Sequence, residues 1–278
     1  MTTEEKLRSD LQETAMRVKK ENPMAGSITN TVTVNLVANA QLAVGGSAAM
    51  IYLPDEGEGM AQLAGAMYIN MGTLLPIYEE TLPRTVRALQ AERKPWVLDP
   101  VGIGLGALRE KILLGFQAYR PNVIRGNASE IIALANLWGL ASRRASNGVR
   151  GVDATDSVDA ARAAAIALAL ETGGAVAVSG PIDLVTDGHR VIRVRGGSRF
   201  LSLITGAGCS LGGVIAVYAT AGQPFIAALA GTMAFDLAAD RAEEGAVGPA
   251  SFQVRFLDEL YRISPEELAE YPFFPEEV

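Results

Sequence analysis

Five short apolar runs constrain this chain more than any other feature. They are AAMIY (48–52), AMYINMG (66–72), PWVLDPVG (95–102), NVIRGN (122–127) and GAVAVSG (174–180), each stopped by Gly, Asn or Asp. Runs of this length without polar alternation read as strands buried on both faces. Helical patterns lie between them at 77–92, 108–117, 128–138 and 156–172. Strand and helix in alternation imply an α/β fold: a mostly parallel central sheet flanked by helices. The segment DLVTDGHRVIRVRGG (183–197) breaks the rhythm, and its Asp187-Gly188 pair signals an antiparallel edge hairpin.

The flanking segments are helical. Residues 3–20 form an amphipathic pattern that ends before Pro23, so 1–22 is expected as an N-terminal helix. A second helix is expected from about Val32 to Val44, in a segment (27–46) that opens on Ser, Thr and Asn and closes on a Gly pair. Three more are expected at 207–221, 224–243 and 250–262. Residues 264–278 are acidic and Pro-broken, and read as a loosely held tail. With no internal repeat or low-complexity linker, 1–278 is expected to be a single domain.

Composition excludes some partners. The net charge is −7 and no basic stripe occurs, which argues against nucleic acid or an anionic membrane. The charged first 23 residues lack the apolar core of a secretory signal, and no uncharged apolar stretch reaches membrane-spanning length. A single cysteine, Cys209, cannot make an internal disulfide, which fits a reducing, cytoplasmic setting. The single histidine, His189, follows the hairpin turn and is expected to be exposed, so neither a Cys-His dyad nor a His-based metal site can form.

Ligands of open parallel sheets bind beyond the carboxyl ends of the strands. Gly72-Thr73, Asp99-Pro100, Arg125 to Glu130 and Ser179-Gly180 all fall at such ends. Asp99 and Glu130 are candidate ligands for Mg²⁺, which needs few carboxylates when a nucleotide supplies phosphate oxygens. Arg125 suits a phosphate through its planar fork, and Asn127 suits a metal-bound water. Plainer roles compete: Asp99 as a turn cap, and Arg125 with Glu130 as a surface ion pair. The strongest local signal is TGAGCSLGG, starting at Thr205. Glycines there let the backbone approach an anion, and the first amides of the following helix point at it. Gly206, Ala207 and Gly208 would frame an anion hole, and Cys209, near the helix start, is expected to have a lowered thiol pKa. The alternative for Cys209 is a small buried hydrophobe.

Taken in order, SITNTVTVNLVANAQLAVGGSAAM, INMGTL, WVLDPVGIG, VIRGNASEI, VSGPIDLVTDG, TGAGCSLGG and GPASFQVRFLDELY resemble the hydroxyethylthiazole kinase family of the ribokinase-like superfamily, over about residues 26–262. The resemblance implies ATP- and Mg²⁺-dependent phosphorylation of 4-methyl-5-(2-hydroxyethyl)thiazole, a salvage step toward thiamine. It also implies a homotrimer with the thiazole held between subunits. By the same likeness, Met50, Asn30, Val32, Gly72 and Gly206 match substrate-pocket positions, and Arg125 and Ser179 match ATP-phosphate contacts. Asp99 and Glu130 match acids near Mg²⁺, and Cys209 stands where most ribokinase relatives place a catalytic Asp. The chain departs from the pattern at Ser179, usually Thr, and at Ala207, which replaces the middle Thr of a Thr-Gly-Thr-Gly-Cys turn; Ser27 also differs. The rival readings are a hydroxymethylpyrimidine or pyridoxal type of kinase, and a nucleotide- or thiazole-binding protein without turnover.

Overall fold

A computed structural model of the chain describes residues 2–140 and 157–278. Helix α1 (Thr3–Glu21) leads into β1 (Met24–Ile28), α2 (Val34–Ala43) and β2 (Ser47–Met50). Next come α3 (Pro54–Leu63), β3 (Ala66–Asn70), α4 (Tyr78–Ala91), β4 (Trp96–Asp99) and α5 (Ala107–Phe116). They are followed by β5 (Val123–Asn127), α6 (Ala128–Leu137), α7 (Val158–Thr172) and β6 (Ala175–Ser179). The hairpin is β7 (Asp183–Thr186) with β8 (Val191–Val194). The remaining elements are α8 (Ala207–Ala219), α9 (Pro224–Glu243), α10 (Pro249–Arg262), α11 (Pro265–Glu270) and β9 (Phe273–Glu276).

The strands make one sheet in the order β2-β1-β3-β4-β5-β6-β7-β8-β9. Pairings from β2 through β6 are parallel, and those from β6 through β9 are antiparallel. Side chains alternate between two cores. Tyr68, Val97, Val123 and Ala177 face the layer of α1, α2, α8, α9 and α10. Met67, Ile69, Leu98, Ile124 and Val176 face the layer of α3 to α7. Burial on both faces explains why these strands carry no polar alternation.

Three expectations need correction. First, Ser27 and Ile28 belong to β1 rather than to a helix entrance, because this strand is buried between β2 and β3. The helix that follows is capped at Thr33, whose side chain makes no capping bond. Second, Pro54–Leu63 is a helix that the sequence reading passed over, its pattern masked by two glycines. Third, the tail is not loose. Leu268, Ala269, Tyr271 and Phe273 are buried, and β9 pairs with β8. Glu266, Glu270, Glu276 and Glu277 are exposed, while the buried apolar residues lie between them in the sequence. Residue 156, where one expected helix begins, lies outside the described residues.

Candidate active site

The carboxyl ends of the parallel strands and the amino end of α8 meet at one rim. Register brings the polar residues together: Asn70 sits opposite Asp99, and Asn127 opposite Ser179. Asp99 is fully buried at its centre. Its Oδ2 accepts from the Tyr68 hydroxyl at 2.8 Å, Asn70 Nδ2 at 3.0 Å and Arg125 Nη1 at 3.0 Å. Its Oδ1 is buried with no protein partner. Arg125 continues the network, with Nη2 donating to Ser179 Oγ at 3.3 Å. Burial works against the Arg125 charge, but Asp99 and then Glu130 outweigh it and raise its pKa. The guanidinium therefore stays cationic although buried.

Asn127 and Glu130 form the capping box of α6. The Asn127 amide donates to Glu130 Oε2 at 2.8 Å, and the Glu130 amide donates to Asn127 Oδ1 at 2.9 Å. Neither plain alternative holds for the acids and arginine: Asp99 caps no turn, and Arg125 and Glu130 are both buried. Burial first, and the Asp99 charge second, push the Glu130 carboxyl up to about 7. Two carboxylates close enough to repel, one with an orphaned oxygen, are a donor set that a hard divalent cation would relieve. Among the described residues there is no group of three or more His, Cys, Asp or Glu suited to a metal. The cation's remaining ligands would thus be phosphate and water.

The turn before α8 has the expected form. Gly206 is the N-cap, at φ +94, and a Cβ there would lie 2.7 Å from Thr33 Cγ2, so only glycine fits. A Cβ on Gly208 would lie 2.7 Å from Arg125 Nη2. The helix start has no side-chain cap and no acid in its first turn. Ala207 N reaches Ile204 O only at 3.4 Å, and Ser210 is the first amide to return firmly, to Gly206 O at 2.8 Å. This helix end is free to receive an anion. Cys209 departs from expectation. Its Sγ accepts from Asn70 Nδ2 at 3.3 Å, and burial, then the Asp99 charge, push the thiol up to about 11. The helix dipole, which would lower it, loses to dehydration and a neighbouring carboxylate.

Of the candidate substrate positions, Asn30 and Val32 follow β1, Met50 ends β2, Gly72 follows β3, and Gly206 is the N-cap of α8. Asn30 Oδ1 accepts from Thr73 Oγ1 at 2.9 Å and from Val32 N at 3.2 Å. Gly72 N donates to Asn70 Oδ1 at 2.8 Å. Asn70 therefore joins the two halves: its oxygen holds the Gly72 loop and its nitrogen holds Asp99 and Cys209. Met50, at the end of β2, is half-buried, and Val32 is 71% exposed. Both border the rim, and neither side chain takes part in hydrogen bonding. On the Arg125 side, a cleft of about 490 Å³ runs past Ser179, Gly208 and Gly197 to Asp183 and Asp236. Both of these acids are raised, mainly by burial: Asp183 to about 7, and Asp236, also beside Asp183 and Asp240, to about 9. Tyr68, Asn70, Asp183 and Asp236 escaped the sequence reading. For Tyr68 and Asn70 the available signal was their i, i+2 spacing at the end of an apolar run, which puts both on one face.

The fold is that of ribokinase-like small-molecule kinases. A ribokinase-like superfamily protein from Enterococcus faecalis V583 shares the fold, with a TM-score of 0.61 at 14% identity over 88% of each chain. The profile of the hydroxyethylthiazole kinase family matches residues 15–266, and the chain belongs to that family. It is 47% identical over 278 residues to the hydroxyethylthiazole kinase of Bifidobacterium animalis subsp. lactis (strain AD011), covering 96% of this chain and 92% of that one. The structure of the hydroxyethylthiazole kinase protein from Pyrococcus horikoshii OT3 is similar at a TM-score of 0.85 and 32% identity, covering 96% and 99%.

Proposed function

We propose that the chain transfers the γ-phosphoryl group of ATP to the primary hydroxyl of 4-methyl-5-(2-hydroxyethyl)thiazole, in thiamine salvage. The observation that carries this reading is the uncapped α8 amino end beside the buried Arg125, in a chain 47% identical to a named hydroxyethylthiazole kinase. In-line transfer through a loose transition state asks the protein mainly for position and charge. The alcohol oxygen attacks phosphorus as the bond to the ADP oxygen breaks and ADP leaves; the hydroxyl proton, lost late, passes to an oxygen of the transferred phosphoryl group and from there to water. The amides of Gly206 to Cys209 stabilise the moving phosphoryl group, and Arg125 with Ser179 holds the phosphate chain. Asp99, through its open oxygen, and Glu130 would hold Mg²⁺, with Asn127 set on a metal-bound water. That ion supplies neutralisation of phosphate charge. A thiol pushed up to about 11 is protonated at neutral pH, so Cys209 fills space beside the reacting oxygen and is no general base.

Asn30, Val32, Met50, Gly72 and Gly206 border the proposed thiazole pocket. Met50 suits a sulfur heterocycle because it is polarizable. The exposure of Val32 favours a site completed by a neighbouring copy, in a homotrimer. We read the whole chain as one kinase domain acting in the cytoplasm; no described helix is long and apolar enough to cross a membrane. The test is phosphate transfer from Mg·ATP to a panel of alcohols. The thiazole alcohol should be the preferred acceptor, and Met50→Ala should raise its KM about tenfold. Preference for pyridoxal or hydroxymethylpyrimidine, or binding without transfer, would favour the rival readings.

A further inference from the structure

The three donors on Asp99 all fall on one oxygen. Tyr68, Asn70 and Arg125 crowd Oδ2, at 2.8, 3.0 and 3.0 Å, while Oδ1 is buried and bare. A carboxylate offers two equivalent oxygens with about four lone-pair sites. Such a one-sided arrangement fixes the rotation of the group and reserves the second oxygen. Of the three donors, Arg125 has a second use on Ser179, and Asn70 also serves Gly72 and Cys209. The Tyr68 hydroxyl makes both of its hydrogen bonds here: it donates to Asp99 and accepts from Asn70 Nδ2 at 2.8 Å.

The ring is otherwise a core residue, fully buried against α8. Packing alone would be satisfied by phenylalanine, so the hydroxyl needs another reason to be buried. The ring is also located with care. A Cβ on Gly212 of α8 would lie 2.2 Å from Tyr68 Cε2, so glycine there leaves the room the ring occupies.

We propose that Tyr68 is a positioning residue whose hydroxyl, with the ring seated against Gly212, holds Asp99 so that its Oδ1 stays open to the Mg²⁺ of the nucleotide complex. This rests on the kinase reading above, although it does not depend on which alcohol is phosphorylated. In this role Tyr68 acts through the hydrogen bond it donates to Asp99.

The test uses the full-length protein and two variants, Tyr68→Phe and Gly212→Ala. Mg²⁺ is titrated calorimetrically into each protein saturated with a non-hydrolysable ATP analogue, with thermal melts alongside. Tyr68→Phe should bind Mg²⁺ five- to tenfold more weakly and melt close to the parent. Its kcat should need correspondingly more Mg²⁺ to saturate, with KM for the thiazole alcohol unchanged. Gly212→Ala, which displaces the ring with its hydroxyl intact, should show the same weakened Mg²⁺ binding. The double variant should be no weaker than the worse single one. Equal Mg²⁺ affinity in parent and Tyr68→Phe overturns the proposal, as does a loss that appears only as a lowered melting temperature. If the parent itself binds no Mg²⁺ with the nucleotide, the kinase reading and this inference fail together. If the parent binds Mg²⁺ but does not phosphorylate the thiazole alcohol, only the substrate assignment fails.

Discussion

Cys209 and Asp236 show how dehydration governs single residues here. A thiol at about 11 leaves roughly a thousandth of Cys209 ionised at pH 8, against about a quarter for an ordinary cysteine. Iodoacetamide should therefore label the native protein roughly two hundredfold more slowly than a free thiol, and Cys209→Ser should cost less than about tenfold in kcat. Mass spectrometry of timed alkylation and steady-state assays check both. Asp236 carries the opposite lesson for stability. Its folded-state pKa is about 9, above the ordinary 3.8, so the native protein keeps a proton that the unfolded chain releases. The sign follows: stability is highest below the unfolded value and is lost as pH rises toward 9. Asp236→Asn, which needs no proton, should raise the melting temperature at pH 8 and change it little at pH 4. Each kcal/mol recovered should appear as about 2–4 °C in a thermal melt.

At the scale of the element, the start of α8 is the part most sensitive to a single methyl group. Gly206→Ala demands a strained φ of +94 and a clash with Thr33. It should lower stability by about 1–2 kcal/mol and remove most phosphoryl transfer, because the amides turn away from their target. Chemical denaturation and the coupled kinase assay separate the two effects. This element was legible in the sequence, since a Gly-rich turn before a small-residue helix is a local pattern. The strand ends were equally legible where they close an apolar run, as at Asp99, Arg125 and Ser179. Strand β1 was not, because Gly26 and Ser27 carry no apolar signal and are buried only by their neighbours. The Tyr68–Asn70–Asp99 cluster was hidden for another reason: pairing register between strands is a non-local fact. The raised thiol of Cys209 depends on that same cluster, so a helix-dipole argument made without it pointed the wrong way.

For the whole molecule, the two sides of the rim differ in completeness. On the side proposed to hold phosphate, Arg125 and Asp99 are buried, whereas Val32 and Leu42, on or beside α2, are 71% and 53% exposed. Light scattering should give a mass about three times that of the 29.3 kDa chain. If the proposed trimer closes over this exposed face, Val32→Asp should reduce the assembly and raise the thiazole KM while nucleotide binding persists.

The pairing of β9 with β8 also governs when the molecule can be finished. Arg8 of α1 donates to the carbonyls of Ala269 and Tyr271 and covers the ring of Phe273, while Gln12 reaches Glu266. Helix α1 thus has no completed berth until synthesis has passed Phe273. Nascent chains halted before that point should leave the Arg8 end of α1 uncovered and β8 as an open edge, a state in which chaperones and neighbouring chains compete for it.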